Sequence, residues 1–226
     1  WDACLRHPFL IELHEGRLPE HKFTRYLVQD SIYLREYARV FGIGIQRSET
    51  YRDIRMFYSQ LSFIAEHESA ARIRWLAEHG IAEEQADHTP AAPACRDYTR
   101  FMLGEAAAGG LPEIMMATLP CTLSYFYLFD RLLKQYPDVR SLPCWYVIRE
   151  YTGDGYREAC EQLGNYAESL CRDLPTARQE RLADMTERPI RVTLLVNSYA
   201  NSLDQNIIYS GIQEAIEQER GDAVIE

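Results

Sequence analysis

Apolar residues recur at helical spacing along most of the chain. Between Glu20 and Gln46 the stripe runs Phe23, Tyr26, Leu27, Ile32, Leu34, Tyr37, Ala38, Phe41 and Ile45, the 3.6-residue period of one buried helix face. Pro19 fits the first turn, where its missing N–H costs nothing. Gly42 and Gly44 weaken that helix but let a neighbour come close. A second stripe of Ile54, Phe57, Leu61, Ile64, Ala71, Trp75 and Leu76 predicts a helix from about Thr50 to His79, stopped by Gly80. Asp87 to Pro93 reads as a loop. Helix resumes from about Ala94 to Ala108 and breaks at Gly109-Gly110. Leu111-Pro112-Glu113 opens the next helix, which carries Pro120 in its interior and should bend there, because proline removes one backbone bond. Pro137 to Pro143 is a connector. Helix follows from about Cys144 to Leu174, interrupted near Gly153-Asp154-Gly155. A last helical stretch begins at Pro175 and runs to about Glu219, with a break near Pro189. No segment shows a strand pattern, repeat or linker. The expectation is one all-α domain, a single-domain helical bundle of about seven or eight helices over residues 1–220, with a tail at 221–226.

Some positions break the apolar pattern with reactive or polar groups. Asp30 and Tyr33 lie inside the first long helix, and Cys121 follows Leu119-Pro120 and is trailed by Tyr125. Tyr98 and Tyr151 sit in two other helical segments. A buried polar group without a partner costs on the order of a few kcal/mol. Several converging from different helices therefore point to a polar pocket for a small molecule. On the residues alone, Cys121 reads as a small buried hydrophobe as readily as a nucleophile, and Asp30 as a structural carboxylate tied to an Arg or a Tyr hydroxyl.

Composition narrows the classes. The 226 residues are 46 % hydrophobic and 26 % charged, with net charge −10 and pI near 5.2. That balance disfavours nucleic acid, which demands a basic surface, and anionic membrane for the same reason. No apolar run approaches the ~20 residues that span a bilayer. Trp1-Asp2-Ala3-Cys4 carries no basic flank with an apolar run behind it, so no secretory leader is expected. The six cysteines, Cys4, Cys95, Cys121, Cys144, Cys160 and Cys171, include no C-x-x-C pair. Reduced thiols in a cytoplasmic protein are the simpler reading. Glu66-His67-Glu68 and the seven-residue spacing of His7, His14 and His21 invite a metal, but no Glu-x-x-His is repeated on partner helices. No metal or cofactor is expected.

Taken in order, several segments resemble the TenA/thiaminase II (TENA/THI-4) family, which has the haem-oxygenase-like helical fold. They are His7-Pro8-Phe9, Gly16-x-Leu18-Pro19-x-x-x-Phe23, Tyr26-Leu27-Val28-Gln29-Asp30-x-x-Tyr33-Leu34-x-x-Tyr37-Ala38-Arg39, Glu66-His67-Glu68, Tyr98, Leu119-Pro120-Cys121 and Ile148-x-x-Tyr151. The resemblance implies a hydrolase of aminopyrimidines in thiamin salvage, assembled as a homotetramer. Its substrate would carry a leaving group on a methylene at C5 of a 4-amino-2-methylpyrimidine ring. It also implies that Cys121 is the nucleophile adding to the ring and that Asp30 holds the edge formed by a ring nitrogen and the exocyclic amine. Tyr33, Tyr98, Tyr125 and Tyr151 would stack on the ring and orient it. The family places a Glu in its last long helix, and in the matching register this chain has Asn201. An amide can hydrogen-bond a ring nitrogen but cannot deliver a proton to it. Asp204, three residues on, lies on nearly the same helical face. Two alternatives follow from Asn201: a TenA-like protein that binds a pyrimidine or related heterocycle without turnover, and one that acts on a different substrate.

Overall fold

The computed structural model describes residues 2–185. They are helical nearly throughout, with no strand among them. Two short helices, α1 (Asp2–Leu5) and α2 (Pro8–His14), precede the long α3 (Glu20–Arg47). There follow α4 (Tyr51–Phe63), a π turn (Ile64–Glu68), α5 (Ser69–Glu78), α6 (Glu83–Asp87), α7 (Pro93–Ala108) and α8 (Leu111–Gln135). A 3₁₀ turn (Pro137–Ser141), α9 (Trp145–Ile148) and a second 3₁₀ turn (Arg149–Tyr151) lead to α10 (Asp154–Cys171). A further helical stretch, α11, occupies 176–185.

α3 is the hub. It packs against α4 on one side and α7 on another, and also touches α5, α6 and α8. α8 in turn is clasped between α7 and α10. The close approach of α3 and α4 depends on Gly44, because a Cβ there would lie 2.5 Å from Cδ1 of the fully buried Phe57. Capping fixes the ends. The Thr50 side chain accepts from Asp53 N to start α4, and the Nδ1 of His7 accepts from Phe9 N to start α2. Burial pushes the His7 imidazole down to about 4, against the pull of Glu12, so the acceptor nitrogen is unprotonated at neutral pH. The α8 start is held by Glu113, whose carboxylate accepts from Gly110 N at 2.9 Å. The same carboxylate takes a two-point bond from Arg178 (3.0 and 2.8 Å) and one from Arg181 (3.3 Å), both on α11.

Three expectations change. The helix foreseen over 50–79 is α4 and α5 with the π turn between them, an insertion that leaves the apolar stripe in place on either side. The helix foreseen from Cys144 starts as one α turn and one 3₁₀ turn, and regular helix begins only at Asp154. α6 occupies sequence between the second predicted helix and the loop, and α1 and α2 were likewise not foreseen. Pro120 is accommodated within one continuous α8. Among the described residues no helix is long and apolar enough to cross a membrane.

Candidate active site

The site lies where α3, α7, α8 and the turn at Tyr151 face one another. On α3, Tyr26, Asp30, Tyr33 and Tyr37 are spaced four, three and four residues apart, so they share one face, and all four are buried. On α8, Cys121 and Tyr125 are one turn apart and also buried. The two faces are joined by hydroxyls. Tyr26 and Tyr125 share a hydrogen bond of 2.9 Å. The Tyr37 hydroxyl donates to the Thr118 carbonyl at 3.0 Å and lies 3.1 Å from Thr122 Oγ1. The Tyr98 hydroxyl, from α7, donates to the Ala117 carbonyl at 3.3 Å. These carbonyls belong to the turn that holds Pro120, so the tyrosines fix the segment from which Cys121 projects.

The aromatic rings form two walls. In one, Tyr37, Tyr33 and Tyr98 stack in sequence, with centroids 5.3 and 5.5 Å apart and planes within 26°. In the other, Tyr151 stacks on Phe129 at 5.4 Å and meets Tyr125 at 4.9 Å. Cys121 interacts with both walls. Burial, then the neighbouring Cys121, Tyr98 and Tyr37, push the Tyr33 hydroxyl well above its ordinary pKa, and that hydroxyl hydrogen-bonds Cys121. It also lies 3.8 Å from Met102 Sδ. Tyr125 is raised in the same way, by burial first and then by Tyr26, Asp30, Cys121 and Tyr151. A hydroxyl that keeps its proton is a standing hydrogen-bond donor.

Burial also acts on other thiols of the chain. Burial drives Cys95 to about 12, Cys144 to about 11 and Cys160 to about 12, which makes them poor nucleophiles. None of the six cysteines is in a disulfide.

Asp30 is 3 % exposed, and burial pushes its carboxyl up to about 6, with Arg72 pulling the other way. Arg72 is itself buried, in the first turns of α5 just after the π turn. π turns of this kind recur at functional sites.

The structure therefore brings together Asp30, Tyr33, Tyr98, Cys121, Tyr125 and Tyr151, all picked from sequence. Asn201 and Asp204 lie outside the described residues. Four residues were missed as members of the cluster. Tyr26 and Tyr37 carry a readable signal, since they continue the Asp30–Tyr33 stripe at helical spacing. Phe129 stands two turns after Cys121 on α8. Arg72 has no sequence signal: it sits in an ordinary Arg-x-Arg stretch, and only the fold turns it inward. Among the described residues no group of three or more His, Cys, Asp or Glu is placed to hold a metal ion.

The cluster gathers tyrosine rings, a buried carboxyl and a thiol, the side-chain types that suit a flat heteroaromatic ring with one polar edge. The aminopyrimidine aminohydrolase of Helicobacter pylori is 30 % identical over 181 residues, which cover 80 % of this chain and 82 % of that protein. The aminopyrimidine aminohydrolase of Bacillus subtilis (strain 168) is 28 % identical, covering 75 % of this chain and 71 % of its own. A crystal structure of a TenA family transcription regulator from Silicibacter sp. TM1040 superposes with a TM-score of 0.80 at 24 % identity, covering 89 % of this chain and 91 % of that one. The sequence model of the TENA/THI-4/PQQC family matches residues 1–196, and the chain belongs to that family.

Proposed function

We propose that this protein is an aminopyrimidine aminohydrolase that acts through a covalent cysteine adduct. The observation that carries the reading is the Cys121 thiol set against the Tyr33 hydroxyl, with Asp30 and Tyr125 buried in the same cluster. The relatives named for this activity support the same reading. The substrate is a 4-aminopyrimidine bearing an aminomethyl group at C5. The ring lies between the Tyr33 and Tyr151 walls, with its amidine edge on Asp30. Cys121 adds through Sγ to C6. The C5–C6 π pair moves out to form an exocyclic methylene at C5, and the C–N bond breaks as the amine takes up the proton given up by the thiol and leaves as ammonia. Water then adds to the methylene, the electron pair returns to the ring, and the C–S bond breaks. The balance is aminomethylpyrimidine plus water giving hydroxymethylpyrimidine plus ammonia, with the thiol restored. Tyr33 stabilises the attacking thiolate. Proton delivery to the ring falls to Asp204, or to a water held by Asn201.

Replacing Cys121 by Ser separates binding from chemistry. The variant should lose release of hydroxymethylpyrimidine and retain binding of the pyrimidine ring. Undiminished turnover in that variant would rule out the covalent route.

Asn201 favours a second reading, a protein that binds the heterocycle without turning it over. Under that reading Asn201→Glu creates release where the parent has none.

A further inference from the structure

Tyr33, whose hydroxyl meets Cys121, is the middle ring of three. Tyr37 stands one turn later on α3, and Tyr98 comes from α7. Their centroids lie 5.3 and 5.5 Å from that of Tyr33, with planes tilted by 26° and 20°. Phe41, a further turn along α3, meets the Tyr37 ring edge-on at 4.7 Å and 68°. Buried rings packed in this way have little freedom to turn. The three hydroxyls end on one short stretch of α8: Tyr98 on the Ala117 carbonyl, Tyr37 on the Thr118 carbonyl and Tyr33 on the Cys121 side chain.

Pro120 weakens that stretch. α8 runs unbroken through it, but proline has no N–H, so the Met116 carbonyl loses its helical donor and the ring crowds the preceding turn. Cys121 is the next residue. Where its Sγ sits therefore depends on what holds the turn before it, and the Tyr98 and Tyr37 hydroxyls reach two successive carbonyls of that turn from outside the helix. The Tyr37 hydroxyl has a second neighbour, Thr122 Oγ1 at 3.1 Å. A phenol carries one proton. Tyr37 gives it to the Thr118 carbonyl, so Thr122 donates to the Tyr37 oxygen. The result is a buried chain from Thr122 to Tyr37 to Thr118, which ties the residues flanking Pro120 and Cys121 to one tyrosine. Tyr37 thus holds both partners of the Tyr33–Cys121 contact. Its ring packs on the Tyr33 ring, and its hydroxyl holds the backbone that carries Cys121.

We propose that Tyr37, with its proton directed by Thr122, is a positioning residue that sets Cys121 against the Tyr33 hydroxyl, and that it governs the rate of the chemical step rather than binding of the ring. The proposal rests on the covalent aminopyrimidine reading of the site. Asp30, the anchor of the ring in that reading, stands two turns away along α3, so loss of the Tyr37 hydroxyl leaves the anchor in place.

The test is steady-state release of hydroxymethylpyrimidine from 4-amino-5-aminomethyl-2-methylpyrimidine by the whole protein and its variants, with a melting midpoint for each. Tyr37→Phe keeps the ring and removes the hydroxyl. It should lower kcat about tenfold to a hundredfold, the order that a small misplacement of reacting groups costs, with KM within about twofold of the parent's. Thr122→Val removes the second hydroxyl at nearly the same shape and should lower kcat in the same sense. Thr122→Ser keeps that hydroxyl and should recover the loss. Tyr33→Phe should also lower kcat, and adding Tyr37→Phe to it should lower it little further, because the contact being positioned is already gone. If Tyr37→Phe does not fold, the two Thr122 variants still decide. A kcat in Tyr37→Phe equal to the parent's, a rise in KM that matches the fall in kcat, losses that multiply in the double variant, or Thr122→Ser no better than Thr122→Val overturns the proposal and leaves the hydrolase reading standing. No release by the parent overturns both.

Discussion

Asp30 is held in the fold at a cost. Its ordinary carboxyl value is 3.8, and burial, partly offset by Arg72, takes it to about 6. Between those two values the native state keeps a proton that the unfolded chain has released. Stability from this group is therefore full below about pH 3.8 and is lost as pH rises through about 6. The loss is on the order of 3 kcal/mol. Asp30→Asn cannot titrate, so denaturant midpoints measured from pH 4 to 7 should lack that decline, while the other groups contribute as before. A parallel decline in the variant would place the titrating group elsewhere. A residue that destabilises its own fold in this way is the expected mark of a binding site, where stability is given up for a poised group.

At the scale of elements, α3 carries the polar face of the site and also the contacts that locate it. The approach of α4 to α3 leaves no room at Gly44, where an added Cβ would sit 2.5 Å from a Phe57 ring that is itself fully buried. Gly44→Ala should lower stability by about 1–3 kcal/mol, and adding Phe57→Leu should recover part of it. Equal stability of the single variant and the parent would contradict this packing. Near the same end of the bundle, where Arg47 donates to the Gly109 carbonyl, Glu113 joins the start of α8 to α11. Burial alone would raise its carboxyl, but the Arg178 bond and the backbone N–H groups of Gly110 and Glu113 outweigh it and hold the group at about 2. A lowered carboxyl contributes stability above its ordinary value of 4.5, and that contribution drains away as pH falls toward 2. Glu113→Gln should thus be less stable than the parent at pH 7, with the gap closing near pH 2. A gap that is constant with pH would mean that the charge is not what matters.

Across the whole molecule, the parts legible in the sequence are those governed by period and punctuation. α3, α7 and α8 begin and end within a residue or so of the expected points, because an apolar stripe, a proline at the first turn and paired glycines each act locally. The π turn at Ile64–Glu68 was not legible, since one inserted residue does not disturb the stripe on either side. Nor was the late start of α10, where the apolar residues of Trp145–Ile148 pack as single turns rather than as a helix face. In the site, Asp30, Tyr33, Cys121 and Tyr125 stood out as polar groups at apolar positions. Arg72 did not, because its inward course depends on how α5 leaves the π turn. The sequence also sets one question that runs through every scale: Asn201 stands where the family resemblance implies a Glu, while the proposed covalent route takes Cys121 as its nucleophile.

One assay addresses that question directly: steady-state release of hydroxymethylpyrimidine from 4-amino-5-aminomethyl-2-methylpyrimidine by the purified protein, with thiamin as the competing substrate. The account predicts release by the parent that disappears in Cys121→Ala. No release from either compound, with both still protecting the protein against heat, would contradict it and leave a binding protein in its place.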